Sequence, residues 1–193
     1  MAGPARYTAL LDACVLFPVA VCDSLMSVSF AGVYAVKWTQ RIEGEWMRNL
    51  EAKTGRGPGA FNSRRDAMRE AVLDWEVPEA AWARLVPSLT LPDPDDVHVL
   101  AAAIAGHADC IVTANLRDFP ADALEPFGLK AIHPDEFLVA QMDLDQIAVL
   151  GAFKAQRERL RRPEYTPLAF ADALERNGLV RTAERLREAA ELI

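Results

Sequence analysis

Residues 91–119 read LPDPDDVHVLAAAIAGHADCIVTANLRDF, and this stretch decides the fold. Residues 92–96 (PDPDD) combine prolines with short acidic side chains that cap helices, which predicts a turn. Residues 97–106 (VHVLAAAIAG) are rich in alanine, the best helix former, and end on glycine, so a helix stops there. Residues 109–113 (DCIVT) then read as a short buried strand, followed by a loop through Phe119 and Pro120. A further strand signal lies just upstream, at residues 89–91.

Working toward the N-terminus, the same alternation recurs. The apolar run at residues 7–11 (YTALL) stops at Asp12, and Pro18 opens a helix that Gly32 closes. Residues 33–38 (VYAVKW) alternate like a second strand before Thr39 caps a helix running through Glu43 to about Ala52. Residues 53–59 (KTGRGPG) can only be a loop; a charged helix at 63–72 and a shorter one after Pro78 follow. Strands alternating with helices imply an α/β fold, a three-layer αβα arrangement around a central parallel sheet. After Pro134 the strand signals end. Helical stretches are expected at 144–160, at 167–176 with Thr166 as cap and Asn177-Gly178 as stop, and at 180–192. The expected division is therefore an α/β domain over residues 1–140 and a small all-helical appendage over 141–193.

Composition narrows the function classes. Apolar residues make up 51% and charged residues 25% of the 193, the balance of a folded soluble chain. The one candidate membrane span, residues 15–36, is interrupted by Asp23 and several serines. Residues 1–13 lack the plan of a secretory signal, because Asp12 falls where the apolar stretch would have to be. A cytoplasmic protein is expected. The three cysteines, Cys14, Cys22 and Cys110, form no CxxC pair, so reduced thiols are expected rather than disulfides or a zinc ribbon. A net charge of −7 argues against a protein that coats nucleic acid, but an enzyme needs basic residues only near the cut.

In an open parallel sheet, ligands bind beyond the carboxyl ends of the strands. Asp12 follows the first strand there, Asp96 lies in the turn after residues 89–91, and Asn115 and Asp118 lie in the loop after residues 109–113. Glu43, one turn into the helix after the second strand, is expected at the same rim. Four gathered carboxylates repel one another unless a cation binds among them. Oxygen-only ligands suit Mg²⁺ or Mn²⁺ rather than Zn²⁺, and His98, His107 and His133 show no ligand spacing. Such a metal would support hydrolysis of a phosphodiester. Asp95 and Asp96 are equally at home as helix caps, and Asp93 and Asp95 leave the register of the third acid open.

The run DVHVLAAA at 96–103 followed by VTANLRDF at 112–119 resembles the hallmark of PIN-domain proteins. In these an aspartate opens an alanine-rich helix, and a Thr-x-Asn-x-x-Asp-Phe segment follows the next strand. Residues 10–18 (LLDACVLFP) and 42–51 (IEGEWMRNLE) resemble the first two family segments, so the likeness spans about residues 7–140. It implies a metal-dependent ribonuclease with Asp12, Glu43, Asp96 and Asp118 as the acidic set and Thr113 and Asn115 as supporting polar groups. Within the family the chain most resembles bacterial VapC-type toxins with an added helical C-terminal region, which implies RNA as substrate and a cognate antitoxin as partner.

Substrate contacts are expected from Arg117 in the active-site loop, from Arg41, and from Arg64 and Arg65 after the glycine-rich loop. Other Asp-bearing α/β folds fit poorly. A haloacid-dehalogenase-like phosphatase needs a second acid where Cys14 stands, and no GxGxxG follows the first strand. A non-catalytic RNA- or protein-binding module and a structure-specific DNA nuclease remain as alternatives, separable by metal-dependent turnover on RNA and DNA. The helix after Pro18 is apolar around most of its circumference, so Leu25, Met26, Val28 and Phe30 are expected to leave a patch for a homodimer or an antitoxin, unless the C-terminal helices cover it.

Overall fold

The computed structural model describes residues 6–193; residues 1–5 of the stretch read against a secretory signal lie outside them. Four short strands, β1 (Thr8–Leu11), β2 (Ala35–Lys37), β3 (Cys110–Val112) and β4 (Ala131–Ile132), form one parallel sheet in the order β2-β1-β3-β4. Ala9 pairs with Val36 on one side and Cys110 on the other. Ala9, Leu10, Leu11, Cys110, Ile111 and Val112 are all fully buried, which is why these central strands are continuous apolar runs rather than alternating ones.

The crossovers carry the helices. Between β1 and β2 lie α1 (Ala13–Leu16) and α2 (Val19–Phe30). Between β2 and β3 lie α3 (Gln40–Thr54), α4 (Asn62–Ala71), α5 (Glu79–Trp82) and α6 (Val97–Ala105), and α7 (Ala121–Leu124) precedes β4. Thr39 caps α3 by accepting from Ile42 N at 3.1 Å, and Gly55 ends it in the left-handed region at φ 67°, a conformation only glycine adopts without cost. After β4 come α8 (Pro134–Leu144), α9 (Gln146–Arg159), α10 (Pro167–Arg176) and α11 (Val180–Glu188).

Three differences from the sequence expectation have physical causes. Residues 89–91 are not a strand. They follow a 3-10 segment, Ala83–Ser88, and Pro87 and Pro92 bracket them, removing donors that a ladder needs; Leu91 is buried without pairing. The chain that extends the sheet beyond Trp38 is instead at Glu76: Trp38 N donates to Trp75 O at 2.9 Å and Val77 N to Trp38 O at 3.0 Å. The two-residue β4 is too short to show any period, and α8 begins at Pro134 with Asp135 and Glu136 in its first turn, an N-terminal pattern that lies ahead of the helices expected from residue 144 onward.

Contacts divide the chain into two compact units that do not follow chain order. The first runs to Phe17 and resumes at Ala35–His133; the second joins Pro18–Tyr34 to Pro134–Ile193. The second unit is all helix, with α2 packed by α8, α9 and α10. Ser24 on α2 and Gln156 on α9 share a buried hydrogen bond of 3.2 Å, Tyr34 meets Phe137 edge-on at 4.8 Å, and Tyr34 Oη donates to Leu25 O at 2.8 Å. Leu25 and Val28 are wholly buried and Met26 nearly so, and only Phe30 of the expected patch stays exposed. A homodimer built on that patch therefore loses its surface, because the chain's own C-terminal helices cover it.

Candidate active site

The functional groups gather at the carboxyl ends of β1 and β3, within the first unit. Asp12 extends the β1 ladder by donating its N–H to Val112 O at 3.1 Å. Its side chain is buried, and both of its oxygens accept hydrogen bonds. Oδ1 caps α1 by accepting from Ala13 N at 2.6 Å, while Oδ2 accepts from Thr113 Oγ1 at 2.7 Å and from Cys14 Sγ at 3.0 Å. Burial and the neighbouring Asp12 charge push the Cys14 thiol up to about 12, so it remains a donor. Thr113 Oγ1 also accepts from Asn115 N at 3.0 Å, and Asn115 Nδ2 donates to Asp118 Oδ2. One chain of hydrogen bonds thus orients both Asp12 and Asp118.

Asp93, Asp96 and Asp118 each offer a carboxylate oxygen, and these oxygens all lie within 4.8 Å of one another. Asp96 stands at the N-cap of α6 but makes no capping hydrogen bond with its side chain, so the role that most often explains an aspartate there is not taken up. Burial, followed by the charges of Asp12, Asp93, Asp118 and Glu45, pushes the Asp96 carboxyl up from 3.8 to about 7. Acids this close raise one another unless a cation joins them.

Glu43 is not part of this group. Its buried carboxylate takes Arg69 Nη2 at 2.6 Å and Nε at 3.0 Å, with Trp38 Nε1 at 3.4 Å. Arg69 lies over the Trp75 ring at 4.8 Å, and Trp75 stacks on Trp38 at 4.9 Å. Glu43 is spent tying α4 to α3. The α3 carboxylate that acts on Asp96 is Glu45, two residues and about 200° further round the helix. Burial raises Glu45, but His98 and Arg41 outweigh it and hold the carboxyl below its ordinary value; His98 Nε2 stands 3.0 Å and Arg41 Nε 3.3 Å from Oε1.

The four expected substrate arginines divide. Arg117 is exposed in the 3-10 turn Leu116–Asp118, and Arg41 is exposed beside Glu45 with Nη2 3.5 Å from Asp95 O. Arg64 points inward: it donates to Leu16 O and Phe17 O and covers the Trp46 ring at 4.7 Å, closing the end of α1. Arg65 pairs with its neighbour Asp66 at 2.8 Å. The sequence leaves Asp93 open as an alternative third acid, and the structure places it beside Asp96. Glu45 and His98 carry no such signal: nothing local separates Glu45 from Glu43, and His98 reads as an ordinary helix residue.

Residues 8–117 match the family described as the PIN domain. That span is more than half of the chain and carries β1 to β3, Asp12, Glu45, Asp93 and Asp96. The chain belongs to the PIN-domain family. Residues 134–188 of this PIN-domain protein match the VapC50 C-terminal domain, a span that opens with α8 and closes with α11. A curated relative from Mycobacterium tuberculosis (strain ATCC 25618 / H37Rv), named "Putative ribonuclease VapC50", is 46% identical over 79 residues, covering 41% of this chain and 47% of the relative. The alignment thus spans about half the length of that relative. No solved structure matches the chain.

Proposed function

We propose that this PIN-domain protein is a metal-dependent endoribonuclease, the cytoplasmic toxin of a toxin–antitoxin pair. The observation that carries the reading is the set Asp12, Asp93, Asp96 and Asp118, crowded at the carboxyl end of a parallel sheet, of which none forms an ion pair with lysine or arginine among the described residues. The relative's name, "Putative ribonuclease VapC50", supports RNA as the substrate class, and the resemblance to VapC-type toxins implies an antitoxin as the restraining partner. No helix of the described residues is long and apolar enough to cross a membrane.

The donor set fits a hard divalent cation. Asp93, Asp96 and Asp118 present oxygens at mutual distances one ion can span, and all are carboxylates, which suits Mg²⁺ or Mn²⁺. Asp12 and Glu45 would complete the set. A bound ion of this kind supplies an acidified water and offsets charge on the scissile phosphate. The protein's own groups do the positioning. Thr113, Cys14 and the Ala13 amide fix Asp12, and Asn115 fixes Asp118. Arg117 and Arg41, both at the rim, are placed to attract the phosphate backbone.

Cleavage of mixed single-stranded RNAs in Mg²⁺, Mn²⁺ or chelator tests the proposal, with Asp96→Asn as control and labelled DNA alongside. Water-driven hydrolysis leaves a 5′-phosphate. A 2′,3′-cyclic phosphate would mean that the ribose hydroxyl attacks and the mechanism is wrong, and cleavage that persists in chelator would remove the metal.

A further inference from the structure

We infer that His98 is a positioning residue for Glu45, holding one oxygen of that carboxylate from inside the protein so that the other is left for the cation of the acidic cluster. The inference rests on the metal-dependent reading above and deepens it. His98 lies on α6, two residues after Asp96, and is 1% exposed. Its Nε2 stands 3.0 Å from Glu45 Oε1, yet neither Nε2 nor Nδ1 has an aligned hydrogen bond among the described residues. A fully buried imidazole with no aligned partner is a costly arrangement, and native interiors rarely keep one. The neighbouring Trp82 ring, tilted with its centroid 6.0 Å away, offers no acceptor. The Glu45 carboxylate is the acceptor in reach, and a rotation of that partly buried side chain would bring it into line with the ring N–H.

The two oxygens of Glu45 are treated differently. Oε1 faces both His98 and Arg41, whereas Oε2 takes no hydrogen bond among the described residues. Arg41 is exposed, so water competes for it; His98 is enclosed by packing. A carboxylate held at one oxygen by a rigid buried donor presents the other in a fixed direction, which is how groups behind metal ligands tune affinity. His98 touches neither substrate nor ion in this scheme and acts only through Glu45.

Mn²⁺ affinity, read by electron paramagnetic resonance on the full chain at one fixed pH, is measured for the wild type and four variants beside their thermal unfolding midpoints. His98→Leu is expected to weaken Mn²⁺ binding about tenfold, and His98→Gln, which keeps a donor near the Nε2 position, to restore most of it. Glu45→Gln alone should lose affinity, and adding His98→Leu to it should cost nothing further. Equal loss in the leucine and glutamine variants, or an undiminished second loss in the Glu45→Gln background, would overturn the role. A wild type that binds no Mn²⁺ would bring down the metal reading and this inference together, whereas Mn²⁺ binding insensitive to His98 removes only the inference. If His98→Leu does not fold, ¹⁵N spectra of the wild-type imidazole decide: a hydrogen-bonded Nε2–H that shifts with Mg²⁺ and in Glu45→Gln is expected, and a ring indifferent to both rules the role out.

Discussion

Acids in the helical unit and acids at the sheet end obey opposite rules. In the helical unit Asp143 pairs with Arg185 at 2.8 Å, Asp172 and Glu175 share Arg187, Asp23 meets Arg159 at 2.9 Å, and Asp135 accepts from the amides of Arg181 and Thr182 at 2.9 and 2.8 Å. At the sheet end Asp12, Asp93, Asp96 and Asp118 hold hydroxyl, thiol and amide donors, or one another's company, and none forms an ion pair with lysine or arginine among the described residues. Both regions are rich in acid. The uncompensated set raises the Asp96 carboxyl toward neutrality, and the lack of a paired lysine or arginine, rather than the number of carboxylates, marks a place for a cation.

The sharpest way to break this contrast is at Asp96. Asp96→Asn should lower RNA cleavage by at least about 100-fold while leaving the unfolding midpoint unchanged or higher, since a repelling charge is gone. A well-folded Asp96→Asn protein that cuts RNA normally would end the assignment. In the helical unit the expectation reverses. Asp135→Ala leaves two amides at the start of α11 without acceptors and should cost about 1–3 kcal/mol in chemical denaturation, with cleavage per folded molecule intact.

Within α3 the same contrast is drawn between two glutamates. Glu43→Gln breaks the Arg69 pair and should cost roughly 2 kcal/mol of stability without altering Mn²⁺ affinity. Glu45→Gln should do the opposite, weakening Mn²⁺ about tenfold at nearly constant stability. A metal defect in Glu43→Gln would return that residue to the site.

The smallest expected effect is on pH. Burial and four neighbouring acids raise Asp96 from 3.8 to about 7, so between those values the folded state holds a proton that the unfolded chain has released. Its contribution to stability is complete below about pH 4 and is lost as pH rises through 7. In chelator the melting temperature should therefore fall between pH 5.5 and 8, and saturating Mg²⁺ should flatten the change. A melting curve equally pH-sensitive with and without Mg²⁺ would place the proton elsewhere.

Much of the α/β layout is visible in single segments. The helix at Val97–Ala105, the strand at Cys110–Val112 and the Thr39 and Thr166 caps arise from side chains acting on their own backbone, so period and capping chemistry reveal them. Leu89 to Leu91 misleads because β-like composition in three residues between prolines says nothing about whether a partner strand is present. The Arg69 pair of Glu43 is invisible locally for a related reason: which face of α3 is toward α4 depends on where Arg69 arrives, twenty-six residues later.

Residues 7–140, read alone, carry the resemblance to the family, the alternation of strand and helix, and the delivery of Asp12, Asp96 and Asp118 to one rim. Those follow from local patterns and from the rule that parallel strands end on the same side. Tertiary packing settled who pairs with whom. It returned α2 to the company of the C-terminal helices, turned Arg64 inward onto α1, gave Glu43 to Arg69, and brought Glu45 and Asp93 to bear on Asp96. Pairing between residues far apart in the chain is settled by packing and desolvation, and neither leaves a mark on the local sequence.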